Sequence, residues 1–288
     1  MPLLPSPEIR PEAIAAGLAG LGVRPGDALL VHSALSSLGH VAGGAEALVH
    51  ALLDLLGSAG TLAAPTLPDL TQPFSVETSP STVGRMSEVV RVWPGAWRSQ
   101  HPTHAVAAVG ARAAFLTNGH ERGLPCGPDS PYGRLGQIRG WVLLLGVDQD
   151  RNTTWHTAET IADVPYLRTL TVPVLQSDGS IREVALPKSP WGHREFIRWD
   201  RPLREAGLLR LGRVGAAAAR LMRADELIAF GLEQLRADPA AFLCAKPRCV
   251  FCRWARASLQ TGADQPGDWA EAARRWGCGA PTCEVCSV

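Results

Sequence analysis

Hydrophobic and polar positions along the chain follow two patterns in turn. Short, continuously apolar runs occur at "DALLVHSAL" (27–35), "TLAAPT" (61–66), "HAVAAVG" (104–110) and "GWVLLLGV" (140–147). Runs of this length read as strands, and apolar character at every position implies a sheet covered on both faces. Between them, "GGAEALVHALLDLLG" (43–57) sets Ala45, Leu48, Val49, Leu52, Leu53 and Leu56 at i, i+3, i+4 spacing up to a glycine, which predicts an amphipathic helix. "GRMSEVVRVW" (84–93) predicts another helix, stopped by Pro94.

Beyond residue 165 the pattern changes. "LTVPVLQSDGSIREVALP" (170–187) is two extended runs around Ser177-Asp178-Gly179, and Asp-Gly is a strong hairpin signal. The stretch 214–243, "VGAAAARLMRADELIAFGLEQLRADPAAFL", reads as helical, in two helices divided near Arg223-Ala224-Asp225. The expected fold is therefore α/β: a mixed central sheet flanked by helices, with an antiparallel hairpin region and a cysteine-rich C-terminal tail. Residues 1–243 form the expected main domain and 244–288 an extension, in which 256–272 reads as a linker.

Charge narrows the partners. With 28 basic and 27 acidic residues among 288, no long-range field favours nucleic acid or an anionic membrane. No stretch approaches the roughly 18 apolar residues of a membrane span, and "MPLLPSPEIRPEA" lacks the basic start and apolar core of a secretory signal. A cytoplasmic protein is expected, with a small-molecule partner recognised at a local site.

Three stretches carry candidate chemistry. "TTWHTAET" (153–160) follows the apolar run 140–147, and its His156 and Glu159 stand three residues apart, so a helix would bring imidazole and carboxylate together on one face. Ligands of open α/β sheets gather beyond the carboxyl ends of strands, which is where this segment falls. "VHSALSSLG" (31–39) sets three serines in a strand-to-helix turn, where hydroxyls and backbone amides can hold phosphate oxygens, although it matches neither a P-loop nor a dinucleotide fingerprint. "RSQHPTHAVAAVG" (98–110) crowds Arg98, His101 and His104 at the start of a strand, readable as a capped polar loop or as metal ligands.

In order along the chain, "LLVHSALSSLG", "LLGSAGTLAAPT", "SPSTVG", "WPGAWRSQHPTHAVAAVG", "CGPDSPYGRL", "GWVLLLGV", "TTWHTAETIADVPY" and "GRVGAAAARLMRADELIAFGLEQL" resemble the antibiotic N-acetyltransferase family, best known for aminoglycoside 3-N-acetyltransferases. The likeness spans about residues 15–240. It implies transfer of an acetyl group from acetyl-coenzyme A to an amine of an aminoglycoside or similar compound, a link to antibiotic resistance, and room for a homodimer. It places His156 as general base and Glu159 as the group that orients it. It gives His32, Ser33, Ala34, Leu35, Ser36 and Ser37 to the coenzyme's pyrophosphate and pantetheine, with further contacts from Thr103 and His104. Two departures stand out. "LPDLTQPFSVETSPS" offers only Asp69 and Glu77 to a polycationic sugar, which leaves transfer to a biosynthetic amine as an alternative, and "SPWGHREFIRW" lacks the family's assisting aspartate, with His193, Glu195 or no residue in its place.

Six of the seven cysteines fall in the last 45 residues, as Cys244-x4-Cys249-x2-Cys252 and Cys278-x4-Cys283-x2-Cys286. In a reducing compartment such crowding favours metal over disulfides, and Cys249, Cys252, Cys283 and Cys286 form the simplest tetrahedral zinc set. A ferredoxin-like cluster and free thiols are the competing readings. Two further functional classes remain: a coenzyme A-binding module whose zinc tail recruits a partner, and a metal hydrolase built on His101, His104 and His156.

Overall fold

In β1 (Ala28–Ser33), Leu29 and Val31 enter one cluster of buried residues while Ala28 and Leu30 enter another on the opposite side of the sheet. β5 (Trp141–Leu145) does the same, with Leu143 and Leu145 on the first side and Val142 and Leu144 on the second. Side chains alternate across a strand, so a strand apolar at every position has to be covered twice. These two are the middle of the molecule.

The computed structural model describes residues 8–261. The remaining strands are β2 (Thr61–Pro65), β3 (Trp97–Arg98), β4 (Val106–Gly110), β6 (Arg168–Leu175), β7 (Ile181–Ser189), β8 (Arg210–Val214) and β9 (Ala217–Arg223). All but β6 and β7 of the described strands form one seven-stranded sheet in the order β3-β4-β2-β1-β5-β9-β8. β2, β1 and β5 run parallel, and the flanking strands pair antiparallel, so the sheet is mixed as expected. β6 and β7 pair separately as the hairpin read from Asp178-Gly179, and its first strand bridges back to Phe74.

The helices are α1 (Pro11–Leu21), α2 (Gly44–Leu56), α3 (Arg85–Arg91), α4 (Ala113–Thr117), α5 (Pro131–Gln137), α6 (Trp155–Ile161), α7 (Asp200–Glu205), α8 (Ala224–Ala237) and α9 (Val250–Thr261). α1, α2 and α3 cover the side carrying Leu29 and Leu143, through Ile14, Leu18, Leu48, Leu52 and Val89. α5, α6 and α8 cover the other, through Tyr132, Leu135, Trp155 and Leu227. None of the described helices is long and apolar enough to cross a membrane.

Two expectations are corrected. Residues 214–223 are not helical: Ala217–Arg223 is strand β9, paired antiparallel with β5 from Leu145↔Ala219 to Trp141↔Arg223. Alanine favours helices by intrinsic propensity, but Ala217, Ala219 and Leu221 are buried at every second position, a strand period. Sheet pairing overrides the weak local preference. The supposed linker at 256–272 begins inside α9, which runs to Thr261. The rest of that segment lies outside the described residues. The described part of the extension beyond 243 packs with the main body, since Cys244, Cys249, Phe251, Cys252 and Ala255 share the buried cluster of Trp155 and Phe242.

Candidate active site

The three parallel strands end on one edge of the sheet, and a groove of about 720 Å3 opens there, lined by His32 and Ser33 of β1, Pro65 of β2, and Val147, Asp150 and Thr153 after β5. Ala34, Leu35, Ser36, Arg85 and Arg151 also line it. Of the residues expected to hold the coenzyme, His32 to Ser36 line this groove. Ser37 turns its Oγ inward to the Ala34 carbonyl at 2.6 Å. Burial holds the His32 imidazole neutral, lowering it to about 3, and its Nε2 has no hydrogen-bond partner among the described residues. Two guanidinium groups, several hydroxyls and that unpartnered nitrogen suit a long ligand bearing phosphates.

The turn from β5 into α6 is fixed by buried amides. Gln149 Oε1 accepts from Trp155 Nε1 and from Asn152 Nδ2, each at 3.0 Å, and Gln149 Nε2 donates to Asp200 Oδ1 at 3.0 Å. Asn152 Oδ1 accepts from the Thr154 amide at 3.2 Å. Trp155 then sits in an aromatic cluster with Phe196, Trp199, Phe230 and Phe242. The result is a short helix anchored at its first turn by the buried amides and by Trp155.

On that helix His156 Nδ1 lies 2.6 Å from Glu159 Oε2, with the carboxylate fully buried and the imidazole 15% exposed. Burial opposes ionisation of Glu159, but the Arg194 guanidinium and His156 outweigh it and hold the carboxyl at about 2. An ionised carboxylate only accepts hydrogen bonds, so Nδ1 carries the proton and Nε2 is the basic nitrogen. This is the geometry of a general base with its orienting group. The glutamate's other oxygen, Oε1, accepts from Nε of Arg194. Nothing in the sequence pattern singles out Arg194. In the "GHREF" stretch, where the family resemblance leads one to look for an acidic partner, a base instead braces the acid.

The "RSQHPTH" block has a different task. His101 Nδ1 accepts from the amides of Thr103 (3.3 Å) and His104 (3.2 Å), and its ring stacks on His120 at 4.6 Å. His120 in turn meets Ser99 Oγ and the Pro125 carbonyl. Arg98 ties the loop after β2 by donating to the carbonyls of Thr66, Val76 and Ser79. Thr103 Oγ1 meets His104 Nδ1 at 2.8 Å, and His104 is lowered to about 3, chiefly by burial. Thr103 and His104 are not among the residues that line the groove. His101, His104 and His156 do not converge as metal ligands, which removes the hydrolase reading.

Among the described residues, one group could hold a metal ion: His193, Cys244, Cys249 and Cys252, whose ligand atoms all lie within 4.8 Å of one another. His193 Nδ1 is 3.5 Å from Cys252 Sγ and 3.6 Å from Cys249 Sγ. A tetrahedral centre with bonds of about 2.3 Å to sulfur and about 2.0 Å to nitrogen sets sulfur and nitrogen about 3.5 Å apart and two sulfurs about 3.8 Å apart. The donor set and its spacing fit zinc. Cys283 and Cys286 lie outside the described residues, and the places beside Cys249 and Cys252 are filled by Cys244 and His193. No disulfide joins the described cysteines.

A histidine fixed by an ionised carboxylate, beside a groove at the carboxyl ends of parallel strands, equips an enzyme of the group-transfer class. The family described as Aminoglycoside 3-N-acetyltransferase matches residues 30–236. Aminoglycoside N(3)-acetyltransferase IV from Salmonella is 39% identical over 239 residues, covering 82% of this chain and 91% of its own. Aminoglycoside N(3)-acetyltransferase VII from Streptomyces paromomycinus is 34% identical, over 76% of this chain and 88% of its own. The crystal structure of aminoglycoside acetyltransferase AAC(3)-IVa superposes with a TM-score of 0.81 at 38% identity, covering 88% of this chain and 98% of that one. AAC-IIIb, solved as a binary complex with CoASH, superposes at 0.74 and 29% identity, over 84% of this chain and 100% of that one. The chain belongs to the aminoglycoside 3-N-acetyltransferase family and is an acetyl-CoA-dependent N-acetyltransferase.

Proposed function

We propose that the protein acetylates an amine of an aminoglycoside, with His156 as general base, Glu159 as its orienting group, and the groove beside His32 to Ser36 as the coenzyme site. The observation that carries the reading is the 2.6 Å pair of His156 Nδ1 and Glu159 Oε2, one turn beyond a groove-lining threonine. In the reaction, His156 Nε2 takes a proton from the attacking amine as the amine nitrogen bonds to the thioester carbonyl carbon. The tetrahedral intermediate collapses with rupture of the carbon–sulfur bond. The imidazolium then returns the proton to the leaving sulfur, giving an amide and coenzyme A thiol. Relatives solved with a gentamicin and with apramycin support the aminoglycoside class.

The test is thiol release from acetyl-coenzyme A over a panel of aminoglycosides and simple polyamines. Release is expected only with an aminoglycoside, and His156→Ala should lower kcat by about 10²–10⁴-fold while coenzyme A affinity stays within about twofold of wild type. Normal turnover by that variant would remove the base assignment. Equal rates with any primary amine would remove the aminoglycoside assignment.

His193, Cys244, Cys249 and Cys252 are further assigned to one structural zinc ion. Four protein ligands leave no open position for chemistry, so the ion when bound supplies a crosslink between the segment after β7 and the start of α9.

A further inference from the structure

Arg194 stands between the catalytic pair and the cysteine cluster. Its side chain is buried, 2% exposed, and its Nε donates to Glu159 Oε1 while His156 occupies Oε2. Its Nη1 donates to the His193 carbonyl at 3.1 Å. The guanidinium plane is enclosed by two rings, Tyr166 with its centroid at 4.9 Å and Phe251 at 4.6 Å. Phe251 lies between Cys249 and Cys252, in the first turn of α9. Its ring is held against Gly192, a residue at φ +93° where a β-carbon would collide with it. Gly192, His193 and Arg194 therefore meet, in consecutive positions, the phenylalanine, the thiols and the glutamate.

We propose that Arg194 is a positioning residue for acetyl transfer, fixing the Glu159 carboxylate so that His156 keeps one tautomer and one orientation, and that Phe251 of the cysteine knuckle holds Arg194 in that place. The proposal rests on the reading of His156 as general base. A carboxylate bound on one oxygen only can rotate away from the imidazole. Bound on both, it presents Oε2 to Nδ1 continuously. A guanidinium suits this better than an ammonium, because its planar fork lets it bond edge-on while its faces stack.

The test is steady-state kinetics on the zinc-loaded enzyme, with coenzyme A affinity measured in parallel. Arg194→Lys keeps the charge and loses the fork, so kcat should fall about 10-fold or more with both KM values within about twofold. Methionine at 194 alone would strand a buried carboxylate, so the neutral pair E159Q/R194M is made beside the single variant E159Q. Glu159→Gln should lower kcat by about 10²-fold, and adding Arg194→Met should lower it by no more than about twofold further, because two residues acting as one unit are not additive. Phe251→Ala should lower kcat about 5-fold or more in the wild-type background and leave E159Q/R194M unchanged. Wild-type kcat in Arg194→Lys, or multiplicative losses in E159Q/R194M, would overturn the proposal while the base assignment stood. Normal turnover by His156→Ala would overturn both.

Discussion

Glu159 carries two roles in one carboxylate. Its carboxyl lies at about 2 against an ordinary 4.5, so it stays ionised across the working range and contributes no titration of its own between pH 5 and pH 8. In stability the sign is that of a depressed acid: its stabilisation is intact above the unfolded value and is lost only as pH falls from there towards 2. The pair with His156 was legible in sequence because three residues along a helix make a fixed distance. Arg194 was not, because it comes 35 positions later and only the packing of the segment after β7 brings it back. Cys244 and His193 escaped for a similar reason: the repeated C-x2-C spacing points to the second knuckle, whereas His193 stands more than fifty positions before Cys249 and only the fold brings it to the thiols. The metal assignment gives a residue-level test. Purified wild-type protein should hold about one zinc per chain. Loss of even an outer partner weakens a zinc site by about 10–100-fold, so Cys244→Ser should lose its metal to a weak chelator at least tenfold more readily. Cys126→Ser, at a buried thiol outside the cluster, should retain it. Metal-free wild-type protein would remove the site.

At the scale of elements, the strands β1, β2, β4 and β5 and the helix α2 were readable because each is a clean run of one period. The short pieces β3, α4 and α5 span only a few residues and carry no period to detect. β9 misled because alanine and arginine at its positions also suit a helix, and only the partner β5 decides between them. The seat of α6 against α8 depends on one small residue. A β-carbon at Gly231 would stand 2.9 Å from the Ala158 β-carbon and 3.2 Å from Trp155 and Phe242 atoms, all of them in rigid surroundings. Gly231→Val should therefore destabilise the protein by about 1–3 kcal/mol through overpacking, and by moving α6 should also reduce kcat. Chemical denaturation and thiol release would read both effects. Unchanged stability would mean that the two helices slide freely, contrary to the aromatic cluster described above.

Across the whole molecule, imidazoles are stored in neutral form. His32, His101 and His120 are buried, at 8%, 0% and 0% exposure, and burial lowers them from 6.5 to about 3, 2 and 4 respectively. Because the folded values lie below the unfolded one, the unfolded chain binds more protons in acid. Stability is thus fully present above pH ~6.5 and falls below it, by about 1.4 kcal/mol per pH unit for each histidine, until the folded values are reached. Together the three remove about 4 kcal/mol by pH ~5.5, against a typical total of about 5–15 kcal/mol. The denaturation midpoint should drop steeply between pH 6.5 and pH 5, and a flat profile there would contradict the buried neutral assignment. Overall α/β character and the groove at the strand ends were legible from the apolar runs. The mixed character of the sheet was expected as well, but its outer strands came from stretches that sequence periodicity did not mark.

The order of the chain gives the link between Phe251 and Arg194 a temporal meaning. The groove is assembled from residues that all precede position 155, whereas the cysteine segment whose Phe251 packs on Arg194 lies at 244–252. During synthesis the nascent protein has every groove residue before it has the ring that stacks on Arg194. On the proposed role of Arg194 and Phe251, a nascent chain that already holds its groove would gain competence for transfer only once residues 244–252 are made.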